Sequence, residues 1–156
     1  MSLDRFHAAQ ASPTAGYDTA LAEIRAGRKT SHWIWYIFPQ LAGLGRSSTA
    51  RAYAIRDLAE ACEYLRDPLL RARYEEITAA VSDQLARGRA LEDLLGGRTD
   101  ALKLVSSLTL FRAAAQTLAG EDPTFDSIAQ HFDSILERTG AQGYPPCTHT
   151  LARITD

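Results

Sequence analysis

Two Asp-Pro pairs, Asp67-Pro68 and Asp122-Pro123, constrain this chain more than any other feature. An aspartate in that setting accepts from the first free amides of a helix. A proline loses nothing at the first helical position, where its missing N–H has no intrahelical partner. Each pair precedes an apolar stripe at helical spacing. Leu70, Tyr74, Ile77, Val81 and Leu85 run up to Gly88, and Phe125, Ile128, Phe132 and Ile135 run up to Gly140. Asp57 and Glu60 form a capping box beside Leu58, Ala61, Cys62 and Leu65. Tyr17, Leu21 and Ile24 make an earlier stripe that stops at Gly27, and Asp100 is placed to cap a helix running to Leu118. Only Trp33–Phe38 and Arg51–Ile55 offer short candidate strands. The expected fold is mainly α: one compact helical domain over residues 1–156, with about six to eight helices, at most one or two very short strands, and a coil-like tail at 140–156.

Composition narrows the function classes. With 156 residues, 46% of them hydrophobic and 23% charged, the chain suits one soluble domain. A net charge of −2 argues against a broad nucleic-acid surface. No apolar run reaches the ~20 residues of a membrane span, and the early Asp4 speaks against a secretory signal. Cys62 and Cys147 form no CxxC, which predicts free thiols and a cytoplasmic setting. His7, His131 and His149 show no metal-ligand spacing and Cys147-x-His149 is too small a ligand pair, so neither a metal nor a bound cofactor is expected.

Three stretches carry chemistry. The first, SHWIWYIFPQ from Ser31, puts His32 four residues before Tyr36, on one face if helical, and places Gln40 at a chain reversal after Pro39. Trp33, Trp35 and Tyr36 have polar tips that need partners when buried, so they serve either as core or as a stacking surface. The second, GLGRSSTARAY from Gly43, lacks both the Gly-Lys-Ser/Thr of a Walker loop and the third glycine of a dinucleotide fingerprint. Its glycines nonetheless let backbone amides turn outward, while Ser47, Ser48, Arg46 and Arg51 supply donors and charge. In the third, DALKLVSSLTLF from Asp100, Leu104, Leu108, Phe111 and Ala115 share one helical face, while Lys103, Ser106 and Ser107 fall on another alongside Leu110 and Ala114. A lysine at the edge of a buried face can hold an anion or transfer a proton. A solvated lysine, with serines bonding back to helix carbonyls, is the plainer reading.

These strings resemble a known family. RFHAAQ, Tyr17 to Lys29, HWIWYIFPQLAGLGRSS, Tyr53-Ala54-Ile55 and DALKLVSSLTLF are together similar to the uncharacterised bacterial family called domain of unknown function 1810. Ile34 and Leu108 stand where methionine is common in that family, a volume-conserving exchange. The resemblance implies a mainly helical fold and no established activity. Some relatives carry a calpastatin label, which does not suit a compact, capped chain. A fainter likeness of style reaches the NAD- and ADP-ribose-processing families, whose catalytic residues do not align here.

The leading reading is a small-molecule site for a nucleotide-like or other planar phosphorylated ligand. Trp33, Trp35 or Tyr36 would stack its ring and Gln40 would read its edge. Arg46, Ser47, Ser48, Ser106, Ser107 and Lys103 would surround its anionic part, with His32 and Lys103 the candidate catalytic groups. Hydrolysis or group transfer is the expected chemistry if the protein is an enzyme. The competing reading is a non-catalytic interaction domain, its aromatic cluster being core or partner surface.

Overall fold

The computed structural model describes residues 3–154, which form ten helices. These are α1 Asp4–Gln10, α2 Tyr17–Ala26, α3 Ile34–Ile37, α4 Ser48–Ala52, α5 Leu58–Arg66, α6 Pro68–Ala86, α7 Leu91–Leu95, α8 Arg98–Ala119, α9 Thr124–Ala141 and α10 Thr148–Ile154. Ten exceeds the six to eight expected because α3, α4 and α7 are single turns, too short to show an apolar period. The two strand candidates are not strands. Trp33–Phe38 holds α3, and Ile55 meets Leu41 in an isolated parallel bridge, the one β pairing among the described residues.

The capping chemistry operates as expected at Asp57 and Asp67. At the second Asp-Pro pair Pro123 itself is the N-cap, one residue ahead of α9, and it makes no side-chain cap bond to that helix. Asp67 Oδ1 accepts from the amides of Leu69 and Leu70 ahead of α6. Asp57 Oδ1 accepts from the Glu60 amide, while Glu60 returns a bond to the amide of Arg56, one residue earlier than a capping box requires. Asp122 takes the amide and hydroxyl of Thr124 at the head of α9. Asp100 behaves differently. The helix starts ahead of it, after Gly97, and its carboxylate pairs with Lys29 and Lys103.

Helix α8 is the axis of the molecule, packed most extensively by α9 and α5 and also by α7, α10 and α3. Its Leu104, Leu108, Phe111 and Ala115 are fully buried. An aromatic chain crosses the core beside it. Phe111 lies 4.9 Å from Tyr64 and 4.7 Å from Tyr74, and Tyr74 stands edge-on to Phe132 at 5.3 Å. Both phenols are bonded, Tyr74 to the Ser107 hydroxyl at 2.8 Å and Tyr64 to the Gln10 amide at 3.2 Å. Burial pushes the Tyr74 phenol well up, so it stays neutral.

The expected coil-like tail is coil only from 142 to 147. Helix α9 continues through Gly140 to Ala141, and α10 follows. Tertiary bonds order this segment: the Cys147 amide donates to Thr109 Oγ1 at 3.0 Å, and the Thr150 and Ser106 hydroxyls meet at 3.3 Å. Residues 155–156 of that tail lie outside the described residues. No described helix is long and apolar enough to cross a membrane. Cys62 and Cys147 are both free.

Candidate functional site

The loop between α2 and α3 is built around one carboxylate. Gly27, at φ 93°, ends α2 in a left-handed turn, so that the amides of Gly27 and Arg28 donate to the carbonyls of Ile24 and Glu23. The Glu23 side chain then collects four donors: the amides of Thr30 (2.8 Å) and Ser31 (2.9 Å), the Ser31 hydroxyl (2.5 Å) and the Trp33 indole N–H (2.9 Å). Burial alone would raise its pKa, but the bonds from Ser31, Thr30 and Trp33 outweigh it and hold the group at about 2. Trp33 is fully buried in consequence and presents no stacking face to a ligand.

Beside this loop two lysines meet one aspartate. Lys29 is almost wholly buried. Its Nζ donates to the Ser31 carbonyl at 2.6 Å, pairs with Asp100 Oδ2 at 2.8 Å and lies 5.0 Å from the Trp33 ring centroid. Lys103 Nζ is 3.9 Å from Asp100 Oδ1 and 5.2 Å from the Trp35 ring centroid. It makes no hydrogen bond among the described residues. The chain contains 17 lysines and arginines, yet only two lysines and only two tryptophans, and all four sit here.

Lys103 opens onto a cavity of about 490 Å³. One wall is the face of α8 bearing Arg98, Thr99, Leu102, Lys103 and Ser106. A second is the loop at Gln40, Leu44 and Gly45, and a third is the strap from Gly143 to Thr148. Gly45 has to be glycine, because a Cβ there would approach the Ala50 Cβ to 2.4 Å. Backbone bonds of 2.8 Å from the Ala42 amide to Ile55 and from the Ile55 amide to Gln40 fix that loop. Among the described residues the lining carries two cations and no carboxylate. Arg98 lies over the Tyr144 ring at 5.6 Å. The Tyr144 hydroxyl is buried without a well-formed hydrogen bond, and burial, with Glu92 nearby, pushes its pKa up.

A larger depression, of about 540 Å³, sits elsewhere between Gly27, Arg28, Arg89 and the segment from Glu92 to Gly97. Its Arg28 and Arg89 are matched by Glu92 and Asp93, so it presents no net charge to a ligand.

The three stretches singled out in the sequence therefore meet in part. Gln40, Lys103 and Ser106 line the cavity. Trp35 lies behind it, sharing a small recess with Gln40 and Gly45. The other candidates point elsewhere. His32 is exposed and outside the lining, and its carbonyl accepts from the Tyr36 hydroxyl at 3.3 Å. Tyr36 is buried, its hydroxyl donating to the Ala15 carbonyl at 2.6 Å. Ser107 is committed to Tyr74. Ser47 caps α4 through the Ala50 amide, and Arg46 and Ser48 are exposed and outside the lining. Among the described residues no group of three or more His, Cys, Asp or Glu side chains is arranged to hold a metal.

Several lining residues escaped sequence reasoning: Arg98, Leu102, Tyr144 and Pro145-Pro146. The Lys29–Asp100 pair behind the site was also missed. The strap had a usable signal, since two prolines stiffen a segment that would otherwise be free. The rarity of lysine in an arginine-rich chain was another.

Comparison with known proteins agrees with this architecture. No curated protein matches the chain. The crystal structure of the conserved hypothetical protein Rv1873 from Mycobacterium tuberculosis, at 1.38 Å, superposes with a TM-score of 0.82 and is 38% identical in sequence. The match covers 99% of this chain and 96% of that one. The model of the protein family of unknown function DUF1810 matches residues 1–140, and the chain belongs to that family.

Proposed function

We propose that the cavity between α8, the Gln40–Gly45 loop and the 143–148 strap binds a small planar anionic ligand, with a nucleotide-like phosphate ester as the class that fits. The observation that carries this reading is Lys103, an ammonium without a hydrogen bond among the described residues, in a lining with Arg98 and no carboxylate. A cation held by a long ion pair of 3.9 Å, in a partly apolar hollow, has hydrogen-bonding capacity left with which to recognise an anion. Leu44, Leu102, Val105, Tyr144, Pro145 and Pro146 offer apolar walls for a ring, and Gln40 offers an amide for its edge. The size lies within the roughly 300–1,000 Å³ usual for such sites.

His32 stands outside the lining, so the reading stops at binding and assigns no acid–base step. The interaction-domain alternative took the aromatic cluster as core or partner surface; Trp33 and Tyr36 are buried as core, which weighs against its partner-surface form alone. The test is calorimetric titration of the chain with AMP, ADP and adenosine. AMP and ADP bind more tightly than adenosine, and Lys103→Met weakens AMP at least about tenfold while leaving adenosine unchanged, as loss of a charge-assisted bond requires. Equal AMP affinity in parent and Lys103→Met, or no binding of any phosphate ester, overturns the proposal.

A further inference from the structure

A buried ammonium such as Lys29 is expensive to desolvate and needs a reason to be there. Its three contacts account for its position without explaining why the residue is a lysine. Elsewhere the chain uses arginine, with 17 basic residues in all and lysine only at 29 and 103. The two lysines share a single counter-ion and share it unequally. Asp100 Oδ2 is 2.8 Å from Lys29 and Oδ1 is 3.9 Å from Lys103. Three charges thus meet with a net value of +1, and the excess falls on the lysine that faces the cavity.

We infer that Lys29 is a positioning residue for the anion site, holding Asp100 so that the Lys103 ammonium stays free for a ligand. The inference rests on the binding reading above. Without Lys29, Asp100 has Lys103 as its remaining cationic partner, three residues along the same helix and within a rotamer change of contact. The Lys103 charge would then be spent inside the protein. Lysine suits the task because a compact point charge fits between the Ser31 carbonyl and Asp100 and leaves the outer carboxylate oxygen accessible. A guanidinium fork would tend to take both oxygens.

The scarcity of lysine makes this measurable. Limited reductive methylation has only Lys29, Lys103 and the N-terminal amine to modify, and peptide mass spectrometry reads each rate. In the parent, Lys103 labels and Lys29 is protected. Lys29→Met slows Lys103 labelling about threefold or more, because a close ion pair shields the amine, and weakens AMP binding by a similar factor. Adding Asp100→Asn to Lys29→Met restores both to within about twofold, since the competing charge has gone. Asp100→Asn alone, should Lys29→Met fail to fold by circular dichroism, speeds Lys103 labelling relative to the parent. Unchanged Lys103 labelling in Lys29→Met and in Asp100→Asn overturns the inference even if AMP binds the parent. If the labelling follows the stated pattern but the parent binds no phosphate ester, the positioning stands and the binding reading falls.

Discussion

Two lysine–tryptophan pairs stand two residues apart in the tryptophan positions and differ in almost every physical respect. Trp33 is fully buried, its indole N–H is bonded to Glu23, and the lysine over it is enclosed by the Ser31 carbonyl and Asp100. Trp35 is half-buried, no described residue bonds its indole N–H, and the lysine over it has its nearest counter-ion at 3.9 Å. Identical residue types therefore build buried scaffold on one side of Asp100 and a partly exposed, loosely paired surface on the other. Saturation of polar groups, more than residue identity, separates the two roles.

The comparison breaks most visibly at Glu23. Glu23→Ala strands four donors, and urea denaturation should show a loss of about 3 kcal/mol or more. The same carboxylate gives an acid signature. Held near pKa 2 in the fold against an ordinary 4.5, it contributes stability that is complete above pH 4.5 and lost as pH falls toward 2. The stability gap between parent and Glu23→Gln should therefore narrow across that window in denaturant melts taken at successive pH values.

Lys29→Met comes next, with an expected loss of about 2 kcal/mol in the same denaturation assay. The Ser31 carbonyl loses its donor while Asp100 recovers a partner in Lys103. The tryptophans sharpen the contrast further. Trp33→Phe should lower stability by about 1–2 kcal/mol through the vacated indole bond, and Trp35→Phe by less than about 1 kcal/mol, in thermal melts of the two variants. The smallest stability effect belongs to Lys103→Met, within about 0.5 kcal/mol of the parent, although that variant should lose the most AMP affinity.

How much of this could be read from the sequence depended on the range of the interactions. The caps at Asp57 and Asp67 and the stripes of α5, α6 and α9 are local chemistry, and they were legible. Asp100 looked like another cap because its true partner, Lys29, lies far away in the sequence. The serine pair split for a similar reason: helical spacing puts Ser106 and Ser107 on one face, but Tyr74 of α6 claims Ser107 while Thr150 of α10 meets Ser106. His32 looked catalytic by its neighbours, and the backbone of the Glu23 loop turns it to solvent. The α10 helix was hidden because its order comes from Thr109 and Ser106, with little help from its own propensity.

The parallel bridge between Leu41 and Ile55 bears on the stability of one wall of the cavity. It pins both ends of an excursion that holds α4, a single turn with no buried side chain. Once the ends are joined, lengthening the excursion is entropically mild, with each doubling costing only about 0.6 kcal/mol. The amides from 43 to 48, at the exposed turn of that excursion, should exchange with deuterium faster than those of Tyr53 and Ala54, which pack on or bond to α1, while those of α8 exchange only with global unfolding. Leu44 and Gly45 belong to that turn, so this exchange pattern would set one wall of the cavity apart in stability from the helix that carries Lys103.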